Sequence, residues 1–126
     1  MRSVLDTSIL IATDVRPLDG DLAVSVVSVA ELQFGVLVAK DGAVRAERLR
    51  RLTTLQRSLT ALPVDDAVAS SYGELAAAVV AAGHRPRARS MDLLIAATAH
   101  AHSARLVTRN PDDLVGLEDL VEIVQA

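Results

Sequence analysis

Four acidic residues offer the most chemistry in this sequence: Asp6, Glu31, Asp92 and Asp113. Three of them sit beside apolar residues: Val4-Leu5 precedes Asp6, Ala30 and Leu32 flank Glu31, and Leu93-Leu94-Ile95 follows Asp92. Such neighbours draw a carboxylate toward the protein body, where an unpaired charge is costly. Two carboxylates about 4 Å apart repel by roughly 4 kcal/mol at an effective dielectric of 20. Four acids converging with no Lys nearby would therefore need cations. Oxygen-only ligands in an open site suit Mg²⁺ or Mn²⁺ rather than zinc. Ions of this kind lower the pKa of bound water and neutralise a phosphodiester transition state.

Each acid also has a purely structural reading. Asp6 can cap a helix beginning near Thr7 or Ser8. Ser28-Val29-Ala30-Glu31 matches a capping box, in which Glu31 bonds back to the Ser28 backbone N–H. Asp92, two residues after Ser90, suits the positive end of a helix dipole. Asp113 can serve as a turn residue, and Asp112 beside it competes for the same place.

The elements that would position these acids are short apolar runs alternating with longer helical patterns. Ser3 to Leu5 reads as a strand ending at Asp6, and Ile9 to Thr13 opens a short helix. Pro17 to Asp21 is a loop; Ala23 to Val27 is a buried strand, and Ser28 begins a helix to about Lys40. Ala43 to Leu59 is helical, Leu62-Pro63-Val64 extended, and a helix capped by Asp65 or Asp66 runs to Ala82 and stops at Gly83. A polar loop, His84 to Arg89, leads into a helix from Ser90 to about His102. Arg105 to Thr108 is a strand, Asn110 to Asp113 a turn, and Leu120 to Val124 the last strand.

Strands alternating with helices predict a three-layer α/β/α domain around a central parallel sheet, spanning residues 1–126. In such sheets ligands bind outside the carboxyl ends of the strands. Asp6, Glu31 and Asp113 fall at that edge, and Asp92 can join them from a helix N-terminus.

The totals agree with a globular domain: 126 residues, 51% hydrophobic and 23% charged. With no cysteine, disulfides, thiolate chemistry and cysteine-ligated zinc are excluded. Asp6 interrupts what would be the apolar region of a signal peptide, and the apolar stretch Leu75 to Ala82 is far short of a bilayer span. These features predict a cytoplasmic protein with no membrane association. The formal net charge of −3 gives no general attraction to a polyanion, but the basic residues cluster. Arg45, Arg48, Arg50, Arg51 and Arg57 share one stretch, and Arg85, Arg87 and Arg89 another.

With the acids placed, the sequence resembles the PIN domain family, most closely the VapC-type ribonuclease toxins of bacterial toxin–antitoxin pairs. Four segments carry the resemblance, in the family's order. They are Val4-Leu5-Asp6-Thr7-Ser8-Ile9-Leu10; Ser28-Val29-Ala30-Glu31-Leu32 with Gly35; Asp92-Leu93-Leu94-Ile95-Ala96-Ala97-Thr98-Ala99; and Val107-Thr108-Arg109-Asn110 followed by Asp113-Leu114. The third is the most specific. At the fourth, Leu114 stands where the family usually has Phe.

The resemblance implies metal-dependent hydrolysis of RNA phosphodiester bonds. Asp6, Asp92 and Asp113 would hold Mg²⁺ (or Mn²⁺), and Glu31 would orient or deprotonate the attacking water. Thr7, Ser8, Thr108 and Asn110 match polar positions around the site. The resemblance further implies a homodimer silenced by a cognate antitoxin, whose basic side chain can reach the carboxylates. For RNA contact, Arg85, Arg87 and Arg89 are candidates because their loop leads directly to Asp92, and Arg109 because it lies near the site. Only Tyr72 and Phe34 are aromatic, so recognition would rest on RNA shape and backbone.

His100 and His102, two apart on one helix, do not face one another, so they read as surface or structural residues, as does His84 in its loop. An aspartyl phosphotransferase would need an Asp two residues after Asp6, where Ser8 stands. A non-catalytic domain using the acidic pocket only for a partner is the remaining alternative.

Overall fold

The computed structural model describes residues 1–126. Five strands, β1 (Arg2–Leu5), β2 (Asp21–Ser25), β3 (Thr60–Leu62), β4 (Arg105–Thr108) and β5 (Ile123–Gln125), form one sheet in the order β3-β2-β1-β4-β5. Every pairing is parallel, with Val4 opposite Ala23 on one side and Leu106 on the other. Five α-helices surround the sheet: α1 (Thr7–Ile11), α2 (Val26–Val38), α3 (Gly42–Ser58), α4 (Asp66–Ala81) and α5 (Ser90–Ala101). Single 3₁₀ turns occupy Pro86–Arg89 and Pro111–Leu114, each with Pro at its start, where a missing N–H costs nothing.

Strand side chains alternate between two apolar layers. Val4, Ala23 and Leu106 point to a core that α4 and α5 fill with Val68, Leu75, Leu93, Ile95 and others. Leu5, Val24 and Val107 point to the opposite face, against Ile9 of α1 and Leu55 of α3. A sheet apolar on both faces must be covered on both. The expected three-layer arrangement with a central parallel sheet is therefore observed.

Three local expectations are corrected. The second strand ends at Ser25, and the helix starts at Val26 rather than Ser28. The Ser25 hydroxyl accepts the Val27 N–H at 3.0 Å and caps α2, so Val26 and Val27 are helical despite their β-branched side chains. Ser28 consequently lies inside the helix, buried, and the Ser28–Glu31 capping box does not form. The last strand is Ile123–Gln125 rather than Leu120–Val124, because residues 117–121 coil in turns that bury Leu117 and Val121. The polar loop before α5 contains the Pro86–Arg89 turn.

The chain leaves β1 for β2 on one side, and later returns to β4 on the other. This reversal opens a crevice at the carboxyl ends of β1 and β4, the usual ligand position in an open parallel sheet.

Candidate active site

Asp6 is the first residue past β1 and occupies the N-cap position of α1, yet its side chain makes no capping bond. It turns instead into the crevice, where Oδ2 accepts the Ser8 Oγ and Thr108 Oγ1 protons at 2.8 Å each. Both hydroxyls are themselves oriented. The Arg109 backbone N–H donates to Ser8 Oγ at 3.1 Å, and the Asn110 backbone N–H to Thr108 Oγ1 at 3.1 Å. Backbone donors on the hydroxyl oxygens leave the hydroxyl protons for Asp6, which can only accept when ionised.

Glu31 reaches the same crevice from α2. Its Oε1 accepts the Thr7 hydroxyl proton at 2.7 Å, and the oxygen of that hydroxyl is 2.9 Å from Ser28 Oγ. Thr7 and Ser28 thus set the Glu31 rotamer and leave Oε2 without a protein donor. Ser28, which in the sequence offers a helix cap and opens the second of the four resembling segments, also supports the site, a role not expected for it. The signal for it was its placement one helical turn before Glu31.

Asp92 lies in the first turn of α5, half-buried, and its carboxyl is held above the ordinary range. Burial is the largest cause, followed by the negative charges of Asp6 and Glu31; Arg89 opposes the rise and Asp113 adds to it. Asp113 sits on the 3₁₀ turn after β4 and lines the same cavity of about 230 Å³ as Asp6, Glu31, Asp92, Thr108 and Asn110. Asp112 does not line this cavity; it lines an adjacent hollow with His84 and Arg85, which Asp113 also borders.

The four carboxylates thus come from four separate elements to one concave space with no lysine around it. No three of them stand close enough to share one ion as the side chains are arranged here. The cation at this rim is Arg89, whose Nη1 is 3.0 Å from Asp113 Oδ1 and 3.8 Å from Asp92 Oδ2. An all-oxygen donor set beside a carboxyl destabilised by its neighbours fits a hard divalent ion, once the side chains close around it.

The other basic candidates separate. Arg109 is engaged elsewhere, with Asp14 at 2.6 Å and the Ala126 carbonyl at 3.3 Å, and it holds the Asp14 carboxyl below its ordinary range. Arg85 lines the hollow next to Asp113, and Arg87 an open depression beside Glu31 and Asp92. In the earlier cluster, Arg51 donates to the carbonyls of Leu10, Ile11 and Ala12, and Arg48 to that of Gly35. These two fasten α3 to the ends of α1 and α2. His100 bonds Ser71 at 2.7 Å and lies 3.5 Å from Glu74, joining α5 to α4 as a structural residue.

Comparison with known proteins places the fold in a family. A family model described as PIN domain matches residues 3–117. Ribonuclease VapC5 of Mycobacterium tuberculosis is 38% identical over 130 aligned positions, which cover 97% of this chain and 93% of that protein. Ribonuclease VapC8 of the same species is 41% identical over 100 positions, covering 76% of this chain and 88% of that protein. Among solved structures, VapBC-5 of M. tuberculosis, a member of the VapBC family of toxin–antitoxin systems, superposes with a TM-score of 0.88 at 36% identity, covering 99% of this chain and 98% of that one. VapBC2 of Rickettsia felis, bound to a DNA fragment from its promoter, gives 0.79 at 25% identity, covering 100% and 98%. The chain belongs to the PIN domain family.

Proposed function

We propose that this protein is a divalent-metal-dependent endoribonuclease and the toxin of a toxin–antitoxin pair. The observation that carries the reading is the convergence of Asp6, Glu31, Asp92 and Asp113 on one cavity at the β1/β4 crevice. The ribonuclease names of its relatives supply the substrate class.

Asp6, Asp92 and Asp113 would hold Mg²⁺ or Mn²⁺, which would supply Lewis-acid stabilisation of phosphodiester charge and lower the pKa of a water. Glu31 orients the attacking water and takes its proton through Oε2, since Oε1 is occupied by Thr7. Burial and the charges of Asp6 and Glu31 raise the Asp92 pKa, so a cation among these carboxylates would favour its charged form. Ser8 and Thr108 keep Asp6 aimed at the cavity, and Asn110 lines it as a further polar group.

An antitoxin as partner follows from the VapBC complexes among the similar structures. A groove of about 500 Å³, lined by Leu10, Ile11, Leu32 and Leu55, runs up to Thr7 and Glu31. Exposed Phe34, Leu37 and Val38 lie on the helix beside it, so an amphipathic segment of the antitoxin has an apolar seat leading to the acids. Homodimer formation and action in the cytoplasm complete the reading. No helix is long and apolar enough to cross a membrane.

The test is cleavage of cellular RNA by the purified chain with Mg²⁺ or Mn²⁺, with EDTA, and with Asp92→Asn. Cleavage should require the ion and fall by at least about a hundredfold in the variant. Cleavage surviving both EDTA and the substitution would show that the carboxylates are not the catalytic centre.

A further inference from the structure

Arg89 occupies an unusual position for a residue expected to bind RNA. Its guanidinium bridges Asp113 and Asp92, two of the three groups assigned to the ion. All three side chains are partly exposed, Arg89 by 47%, Asp92 by 39% and Asp113 by 40%. Ion pairs this solvated are weak and readily exchanged. A divalent ion that engages several carboxylates at once therefore has the advantage over one guanidinium at the rim.

The surroundings offer Arg89 somewhere else to go. It borders the hollow of about 280 Å³ that contains His84 and Arg85, and also the open depression that contains Arg87, Ser90 and Glu31. Both are basic on one side and adjoin the acidic cavity. A guanidinium presents the same planar fork to a phosphate as to a carboxylate. Arg109 is placed away from these acids, against Asp14 and the Ala126 carbonyl.

We propose that Arg89 competes with the divalent ion for Asp113 and Asp92, and that, released by the ion, it binds a phosphate of the RNA backbone. One side chain then makes RNA binding follow ion binding: without the ion Arg89 neutralises the acids, and with it the same charge turns to substrate. The inference rests on the metal-dependent ribonuclease reading and adds an order of binding to it.

Mn²⁺ affinity is measured by isothermal titration for the native chain, Arg89→Gln and Arg89→Lys, without RNA. Binding of a cleavage-resistant 2′-O-methyl RNA decamer is followed by fluorescence anisotropy with and without Mn²⁺. Arg89→Gln should bind Mn²⁺ about three- to tenfold more tightly than the native chain, with Arg89→Lys between them. At saturating Mn²⁺, Arg89→Gln should hold the decamer several-fold more weakly than the native chain, and equally well without Mn²⁺. Equal or weaker Mn²⁺ binding by Arg89→Gln overturns the competition, and native-like decamer binding at saturating Mn²⁺ overturns the phosphate role. Failure of every chain to take up Mn²⁺ overturns the metal reading itself, and the proposal with it.

Discussion

The two ends of the acidic cavity are built on opposite plans. At the β1/β4 end, Asp6 accepts two hydroxyl protons from residues that backbone N–H groups orient in turn, and Thr108 is only 1% exposed. At the other end, Asp113 stands on a 3₁₀ turn, exposed, with one arginine of a neighbouring turn as its partner. The first end is set by the folded chain whatever is bound. The second rests on one exposed ion pair with Arg89. A site proposed to take up and release an ion benefits from both, because the fixed end gives the geometry and the loose end the access.

Substitutions should separate the two plans. The largest effect is expected at Asp6 and Asp92. Asp6→Asn and Asp92→Asn should each lower the RNA cleavage rate by about a hundredfold or more at saturating Mn²⁺, and added ion should not restore it. Next comes Thr108→Val, which removes a buried hydroxyl serving both Asp6 and the Asn110 N–H. Urea unfolding should show a loss of about 1–3 kcal/mol, mostly recovered in Thr108→Ser. Asp113→Asn should cost only about fivefold in cleavage at limiting Mn²⁺, and excess Mn²⁺ should reverse it, since one exposed charge is lost. If Asp6→Asn responds to excess ion as Asp113→Asn does, the two ends are not different.

The smallest effect concerns pH. The folded-state pKa of Asp92 is raised above its ordinary 3.8, so ionising it opposes folding. That penalty is in force above the raised pKa and disappears as pH falls through it toward 3.8. In EDTA, the native chain should therefore gain stability relative to Asp92→Asn as pH falls from neutral to mildly acid, by a small amount because the half-exposed group is screened by solvent. Asp14 and Glu47, whose pKa values are lowered by Arg109 and Arg50, act in the reverse sense, only at lower pH. Parallel pH curves for the two chains would contradict the assigned shift.

Much of this arrangement could be read from the residues in order. Ser3 to Leu5 and Arg105 to Thr108 are bounded apolar runs that form parallel neighbours as expected, and the acids just beyond them reach one crevice. What failed was local and had a physical cause. Ser25 and Ser28 are three residues apart and both can cap a helix; Val26-Val27 between them favours a strand by side-chain shape, and burial decided for the helix. The same shift dissolved the capping box and freed Glu31 for the cavity. The choice between Asp112 and Asp113 depends on the phase of one 3₁₀ turn, which spacing cannot supply. The roles of Arg89, Arg51 and Arg48 are tertiary: their partners lie on other segments of the chain, so composition could only mark them as basic.

The convergence of the acids on a divalent ion is tested most directly by the melting temperature of the native chain and of Asp92→Asn as Mn²⁺ is raised to millimolar concentration. The native chain should gain several degrees, because the ion binds the folded state and relieves carboxylate repulsion. Asp92→Asn should start higher in EDTA and gain less. A native melting temperature indifferent to Mn²⁺, or an equal rise in the variant, would contradict a shared acidic site.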